Sequence, residues 1–365
     1  MYLCPGVLCQ KSAVKHTPPV LPQIPPFDFK PEPYQGMSKD CLLDIRKHNC
    51  NPMTMKVMYY KKPVFINQGY MQWLWDVDGR RYLDLFAGIV TVSVGHCNPR
   101  LRNNIYVNPQ MQEYAEKLAS LFHCHCWKRK VEPPNQHIRI ISEGSCDYMY
   151  IRELKEMFTT TVPNRIAAFF TEPIQEKTYI GFVQTGFGRT GSHFWGFQGH
   201  NVLPDMVTMA KGIANGFPMG AVVTTAEIAR SFAKGVHFNT FGGNPLARAA
   251  FYFSVTIKED KIQENSAEVG PYLLTELAKL RDKYEIIGDV RGKGLLIGVE
   301  MVKDKANRDL LPSEAIAEIF EGTKDMGVLI GKGGLIKPPM CINKDDADFF
   351  LAVFNQAVHN YMERR

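Results

Sequence analysis

The sequence predicts an α/β protein with a glycine-punctuated middle built on short strands and a C-terminal α/β unit. Three observations carry that expectation. The last third alternates helical and strand patterns, with Leu273, Leu274, Leu277 and Leu280 on one face of a helix over 265–284. Short apolar runs at 166–170, around Val207 and at 221–224 read as strands bounded by glycine, proline or acid. The chain has 365 residues, 45% of them apolar and 22% charged, enough for two or three domains and a substantial core.

The elements follow in order. Residues 1–36 read as leader and linker. No acid precedes Asp28, while Lys11 and Lys15 do, and prolines crowd 18–26. An organellar presequence and a disordered Pro-rich tail both fit that composition. Strand-like runs at 71–75 and 80–85, joined through Asp78-Gly79, predict a hairpin. Residues 86–96 are apolar and β-branched, and read as an extended segment passing near a site. Helices are expected over 112–121 and 151–158, whereas 122–136 shows no sustained period. In the last third, strands are expected at 286–290, 295–302 and 327–330, a helix opening at Ser313, and an amphipathic helix over 345–362.

Composition excludes several function classes. The net charge of +6 is mild and scattered, and Lys128-Arg129-Lys130 is the only tight basic run, so a nucleic-acid role is not expected. No run of eighteen apolar residues exists, so no membrane-spanning helix is expected. Nine irregularly spaced cysteines do not form a disulfide framework and point to a reducing compartment. His123-Cys124-His125-Cys126 lacks a second ligand pair at finger spacing, and no metal site is expected. Gly186, Gly188 and Gly191 match a dinucleotide fingerprint literally, but the following residues 192–197 are aromatic and glycine-broken rather than helical.

Lys211 is the residue most suggestive of chemistry. A short apolar run delivers it, Gly212 follows at once, and Met206, Val207, Met209, Ile213 and Phe217 supply apolar bulk. Farther on, residues 237–245 combine Thr240, Asn239 and Gly242-Gly243 in a turn rich in hydrogen-bond donors. A desolvated amine near a phosphate-binding turn is what Schiff-base chemistry with pyridoxal phosphate requires.

Residues 73–99, 183–197, 204–222 and 237–245 together resemble the class-III pyridoxal-phosphate aminotransferases. The resemblance implies a type I transferase fold, with an N-terminal segment (37–107), a truncated cofactor-binding large domain (108–255) and a small α/β domain (256–365). It implies amino transfer from an alanine-like donor to a glyoxylate-like oxo acid, in the mitochondrial matrix, by a homo-oligomer. It makes Lys211 the Schiff-base lysine and Thr240 a phosphate ligand reaching into the neighbouring subunit's site. Gln184 becomes the partner of the ring hydroxyl, and Glu172 an acid beside ring and substrate.

The departures from the family pattern are specific. No carboxylate stands in Tyr179-Ile180-Gly181-Phe182, where the family places the partner of the ring nitrogen. Leu335 replaces the arginine expected to hold the substrate carboxylate. A phosphate-cradling loop and the ring-stacking aromatic are missing between Cys97 and Glu172. These departures frame an alternative, a catalytically inactive shortened form that binds and modulates an intact subunit.

Overall fold

The computed structural model describes residues 23–49, 60–98, 185–231, 257–331 and 334–364, with 152, 156 and 160. Helix α1 (Lys39–Asn49) precedes an antiparallel meander of β1 (Ile66–Tyr70), β2 (Trp73–Asp76) and β3 (Arg81–Asp84). This corrects the expected two-stranded hairpin. Met71 has φ 53, so the chain reverses at Met71-Gln72 where the apolar pattern alone had suggested a strand.

The second reversal is the expected one. The Asp76 carboxylate accepts from the Asp78 and Arg80 amides at 3.0 and 2.9 Å, and Gly79 takes φ 78. Trp73, Trp75, Tyr82 and Leu83 bury their side chains. Strand β3 pairs in parallel with β8 (Val328–Leu329), which completes the sheet order β1-β2-β3-β8.

The C-terminal third forms as its pattern dictates. Helix α3 (Ile262–Lys283) lies against the hairpin of β6 (Ile287–Lys293) and β7 (Leu296–Met301), which β9 (Leu335–Ile336) extends. Gly270 makes the contact possible, because a Cβ there would lie 2.3 Å from the Gly294 carbonyl carbon. Helix α4 (Ser313–Asp325) packs on α5 (Lys344–Glu363) and on β8. One continuous apolar cluster runs from Trp73 and Leu83 through Leu273 and Leu277 to Phe350 and Val353.

Between these regions, β4 (Met206–Met209) and β5 (Ala221–Thr224) pair antiparallel, with α2 (Ala226–Ser231) following. Among the described residues no helix is long and apolar enough to cross a membrane. The expected elements at 112–121, 151–158 and 166–170 lie outside the described residues, apart from the helical positions 152 and 156.

Candidate active site

Strand β4 ends at Met209 and delivers Lys211 to a tight 3-10 turn, Lys211–Ala214. Ala210 is extended, Lys211 turns to φ 50, and Asn215 closes the turn in the left-handed region at φ 46. Lysine at positive φ is uncommon and persists only where its surroundings over-determine it. Gly212, Ile213 and Ala214 are buried, and Lys211 itself is half-buried.

Among the described residues the Lys211 amine makes no ion pair or hydrogen bond. Three residues earlier, the buried Thr208 hydroxyl also lacks a partner among them. The expected apolar surround is only partly realised. Met209 and Ile213 are buried, but Met206 and Phe217 are among the exposed large apolar side chains. Alternation explains Met206, since Met209 lies on the opposite face of the ribbon.

A second segment packs against this turn. Residues 86–96 are not extended as expected. Ala87, Gly88, Ile89 and Val90 take φ 48, 56, 63 and 63, a left-handed turn that β-branched residues rarely adopt. The buried carboxylate of Asp84 starts the turn by accepting from the Phe86 and Ala87 amides at 2.8 and 2.9 Å. Its other oxygen lies 2.7 Å from His96 Nε2. That pair is charge-assisted when the ring is protonated and a hydrogen bond otherwise.

The loop between Thr91 and His96 meets the lysine turn edge on. A Cβ on Gly212 would lie 2.4 Å from Ser93 Oγ and 3.3 Å from Val90 O, so glycine here leaves room for the Ser93 side chain. Asn215 Oδ1 accepts from the Val94 amide at 3.0 Å, and Asn215 Nδ2 donates to the Gly95 carbonyl at 2.9 Å. The same loop is held from elsewhere. His96 and Met71 exchange backbone hydrogen bonds at 2.7 and 2.8 Å, and the Met340 amide donates to Ser93 O at 2.7 Å.

The glycine-rich run at 186–191 has a packing role. Gly191 lies against Ala267 of α3, 2.5 Å from its Cα by an added Cβ, and Leu295 donates to Arg189 O at 3.0 Å. Arg189 is fully buried, and its Nη1 donates to the Leu295 and Pro338 carbonyls at 3.0 and 2.7 Å. Burial pushes its guanidinium down to about 9, which leaves it charged at neutral pH. Leu335 lies in β9 opposite Gly298, so an aliphatic side chain occupies the position expected to carry the arginine.

Gln184, Thr240 and Glu172, the other expected ligands, lie outside the described residues. Asp84, Ser93, His96, Arg189 and Asn215 had no role in the sequence reading. The Asn215-Gly216 dipeptide is a turn-forming pair from which the left-handed position could have been found.

Strand β4 thus leads into a lysine that has no partner among the described residues, on a turn where Gly212 meets Ser93. The family model described as Aminotransferase class-III matches residues 54–114 and 180–358. The chain belongs to the class-III aminotransferases. It is similar to the mitochondrial alanine–glyoxylate aminotransferase 2 of Homo sapiens, at 39% identity over 94% of this chain and 91% of that protein. A homologue of the same name from Arabidopsis thaliana is 35% identical over 95% of this chain and 93% of its own length. Among solved structures, a thermostable (S)-enantioselective omega-transaminase from Thermomicrobium roseum superposes with a TM-score of 0.74 at 25% identity, covering 91% of this chain and all of that one.

The chain is thus an aminotransferase of the type I fold, with pyridoxal phosphate as its cofactor. The half-buried Lys211 amine, which has no partner among the described residues, fits that group. The human alignment runs over 469 positions against a chain of 365, so about a hundred or more of those positions have no residue here. The unmatched stretch between 114 and 180 in the family match falls where the sequence departs most from the family pattern.

Proposed function

We propose that this aminotransferase moves an amino group from an alanine-like donor to a glyoxylate-like oxo acid, with Lys211 as its catalytic residue. The observation that carries the reading is a lysine just beyond β4, without a partner among the described residues, on a turn whose glycine admits Ser93. The names of the human and Arabidopsis relatives support the substrate pair and a mitochondrial location.

Bound pyridoxal phosphate supplies an electron sink for charge developing at the substrate α-carbon. Lys211 holds the cofactor through its amine and serves as general acid and base at that carbon. Thr240 is assigned to the phosphate and to a homo-oligomer in which it completes a neighbour's site. Gln184 is assigned to the ring hydroxyl and Glu172 to the ring and substrate. The division into cofactor-binding (108–255) and small (256–365) domains belongs to the same reading.

A second reading is favoured by Leu335 in β9 and by the missing carboxylate before Val183. Without these groups the chain binds an intact subunit and modulates it rather than turning over substrate. One experiment separates the two. The purified chain is titrated with pyridoxal phosphate, reduced with borohydride and peptide-mapped. A pyridoxyl group on Lys211, absent from Lys211→Ala, together with alanine-dependent consumption of glyoxylate, supports the catalytic reading. A pyridoxyl group without turnover supports the second reading, and no pyridoxyl group on Lys211 overturns the assignment of that lysine.

A further inference from the structure

We propose that Asn215 is the positioning residue for Lys211, acting as a two-point clamp that fixes the lysine turn to the Ser93–His96 loop. The proposal rests on the reading of Lys211 given above. Three observations converge on it. Lys211 holds φ 50, a conformation a lysine does not keep without external restraint. Asn215 ends the same one-turn element, and its amide is spent on backbone across the gap. The carbonyl oxygen accepts from Val94 N at 3.0 Å and the amide nitrogen donates to Gly95 O at 2.9 Å. Gly212, next to Lys211, abuts Ser93 with no room for a side chain, so the two segments seat in one register.

The far side of the clamp is itself fixed. Gly95 and His96 are tied to β3 through the Asp84 carboxylate, to Met71 by paired backbone bonds, and through Ser93 to Met340. The lysine therefore inherits its position from β3 and from the C-terminal segment through the Asn215 carboxamide and the Gly212–Ser93 contact. Only asparagine meets all the requirements. Its side chain supplies one acceptor and one donor, and among residues with a side chain it tolerates the left-handed region best. Aspartate keeps the acceptor but sets an oxygen against Gly95 O. Glycine keeps the backbone conformation and loses both bonds.

The test uses the full chain and pyridoxal phosphate, with Asn215→Gly and Asn215→Asp as variants. Three quantities are read. They are hydrogen exchange at Val94, the cofactor concentration that half-saturates borohydride-trapped pyridoxyl on Lys211, and the pH midpoint of the visible band of the lysine-bound cofactor. Asn215→Gly is expected to expose the Val94 amide, to raise the half-saturating concentration about tenfold or more, and to shift the pH midpoint. Asn215→Asp, nearly isosteric and less disruptive to the fold, is expected to protect Val94 and to bind the cofactor with intermediate strength. Wild-type trapping that both variants match in concentration and pH midpoint would overturn the clamp while leaving Lys211 in its role. A wild-type chain that traps no pyridoxyl on Lys211 removes the reading on which the clamp depends, and the clamp with it.

Discussion

Gly212 shows most directly how one residue shapes this site. Its φ lies outside the left-handed region, so alanine there meets no backbone penalty and only a steric one. The added methyl would lie 2.4 Å from Ser93 Oγ and 3.3 Å from Val90 O. Overpacking of this kind costs about 1–3 kcal/mol. Gly212→Ala is therefore expected to lower the unfolding free energy measured in urea by that amount, and Ser93→Ala in the same chain to restore most of it. A double-mutant cycle on the two positions checks the coupling, and additivity would show that the two segments are not in contact. Lys211 and its glycine were legible in the sequence because their residue types are chemically distinctive. Ser93 and Asn215 were not, since a serine 119 positions upstream carries no mark of the glycine it meets.

At the scale of an element, helix α5 carries the most informative titration. Asn343 and Asp346 cap each other's amides at 2.9 and 3.1 Å, and the Asp346 carboxylate also accepts from Gln72 Nε2 at 2.7 Å. Burial nevertheless raises its pKa from 3.8 to about 6, against the lowering effects of the Asn343 and Gln72 hydrogen bonds and of Arg81. A raised carboxylate pKa means that the folded chain binds the proton more tightly than the unfolded one. The group's contribution is thus most favourable below pH 3.8 and is lost as pH rises through about 6. The loss is on the order of 3 kcal/mol by linkage. Asp346→Asn, which keeps an acceptor for both donors, is expected to flatten that part of the stability profile. Urea unfolding at pH 4.5 and pH 7, compared between variant and wild type, measures it; equal slopes would show that the carboxylate is not desolvated.

The same element shows what periodicity can reveal. The helix expected over 345–362 is found as Lys344–Glu363, because Phe349, Phe350, Val353 and Val358 mark one buried face. Strand β7 was legible for a like reason, with Leu296, Ile297, Val299 and Met301 buried, whereas β6 buries only Ile287 of its seven residues. Residues 86–96 were misread because β-branched residues favour strands. Here the Asp84 carboxylate, by bonding two successive amides, holds the chain in a left-handed turn against that preference.

For the whole molecule, the parallel pairing of β3 with β8 links positions nearly 250 residues apart. Leu83 N donates to Gly327 O and Leu85 N to Leu329 O, both at 2.9 Å, and Gln72 reaches Asp346 from the same sheet. The meander and the C-terminal α/β unit share one apolar cluster and should open together. The amides of Leu83 and Leu85 are expected to exchange at the rate of the β6–β7 hairpin in native-state hydrogen exchange. Earlier exchange would mean that the meander unfolds alone.

The sequence by itself determined the class of the molecule. Alternating periods, glycine-flanked strands, a lysine at a strand end and long family-like runs need no third dimension, since each is a local pattern. The tertiary structure decided how distant segments meet. It placed Asn215 on the loop of Gly95, turned residues 87–90 left-handed, seated Arg189 against Leu295 and Pro338 and joined β3 to β8. These outcomes depend on which hydrogen-bonding groups become neighbours after the core has formed. A linear chain does not contain that information at any single position.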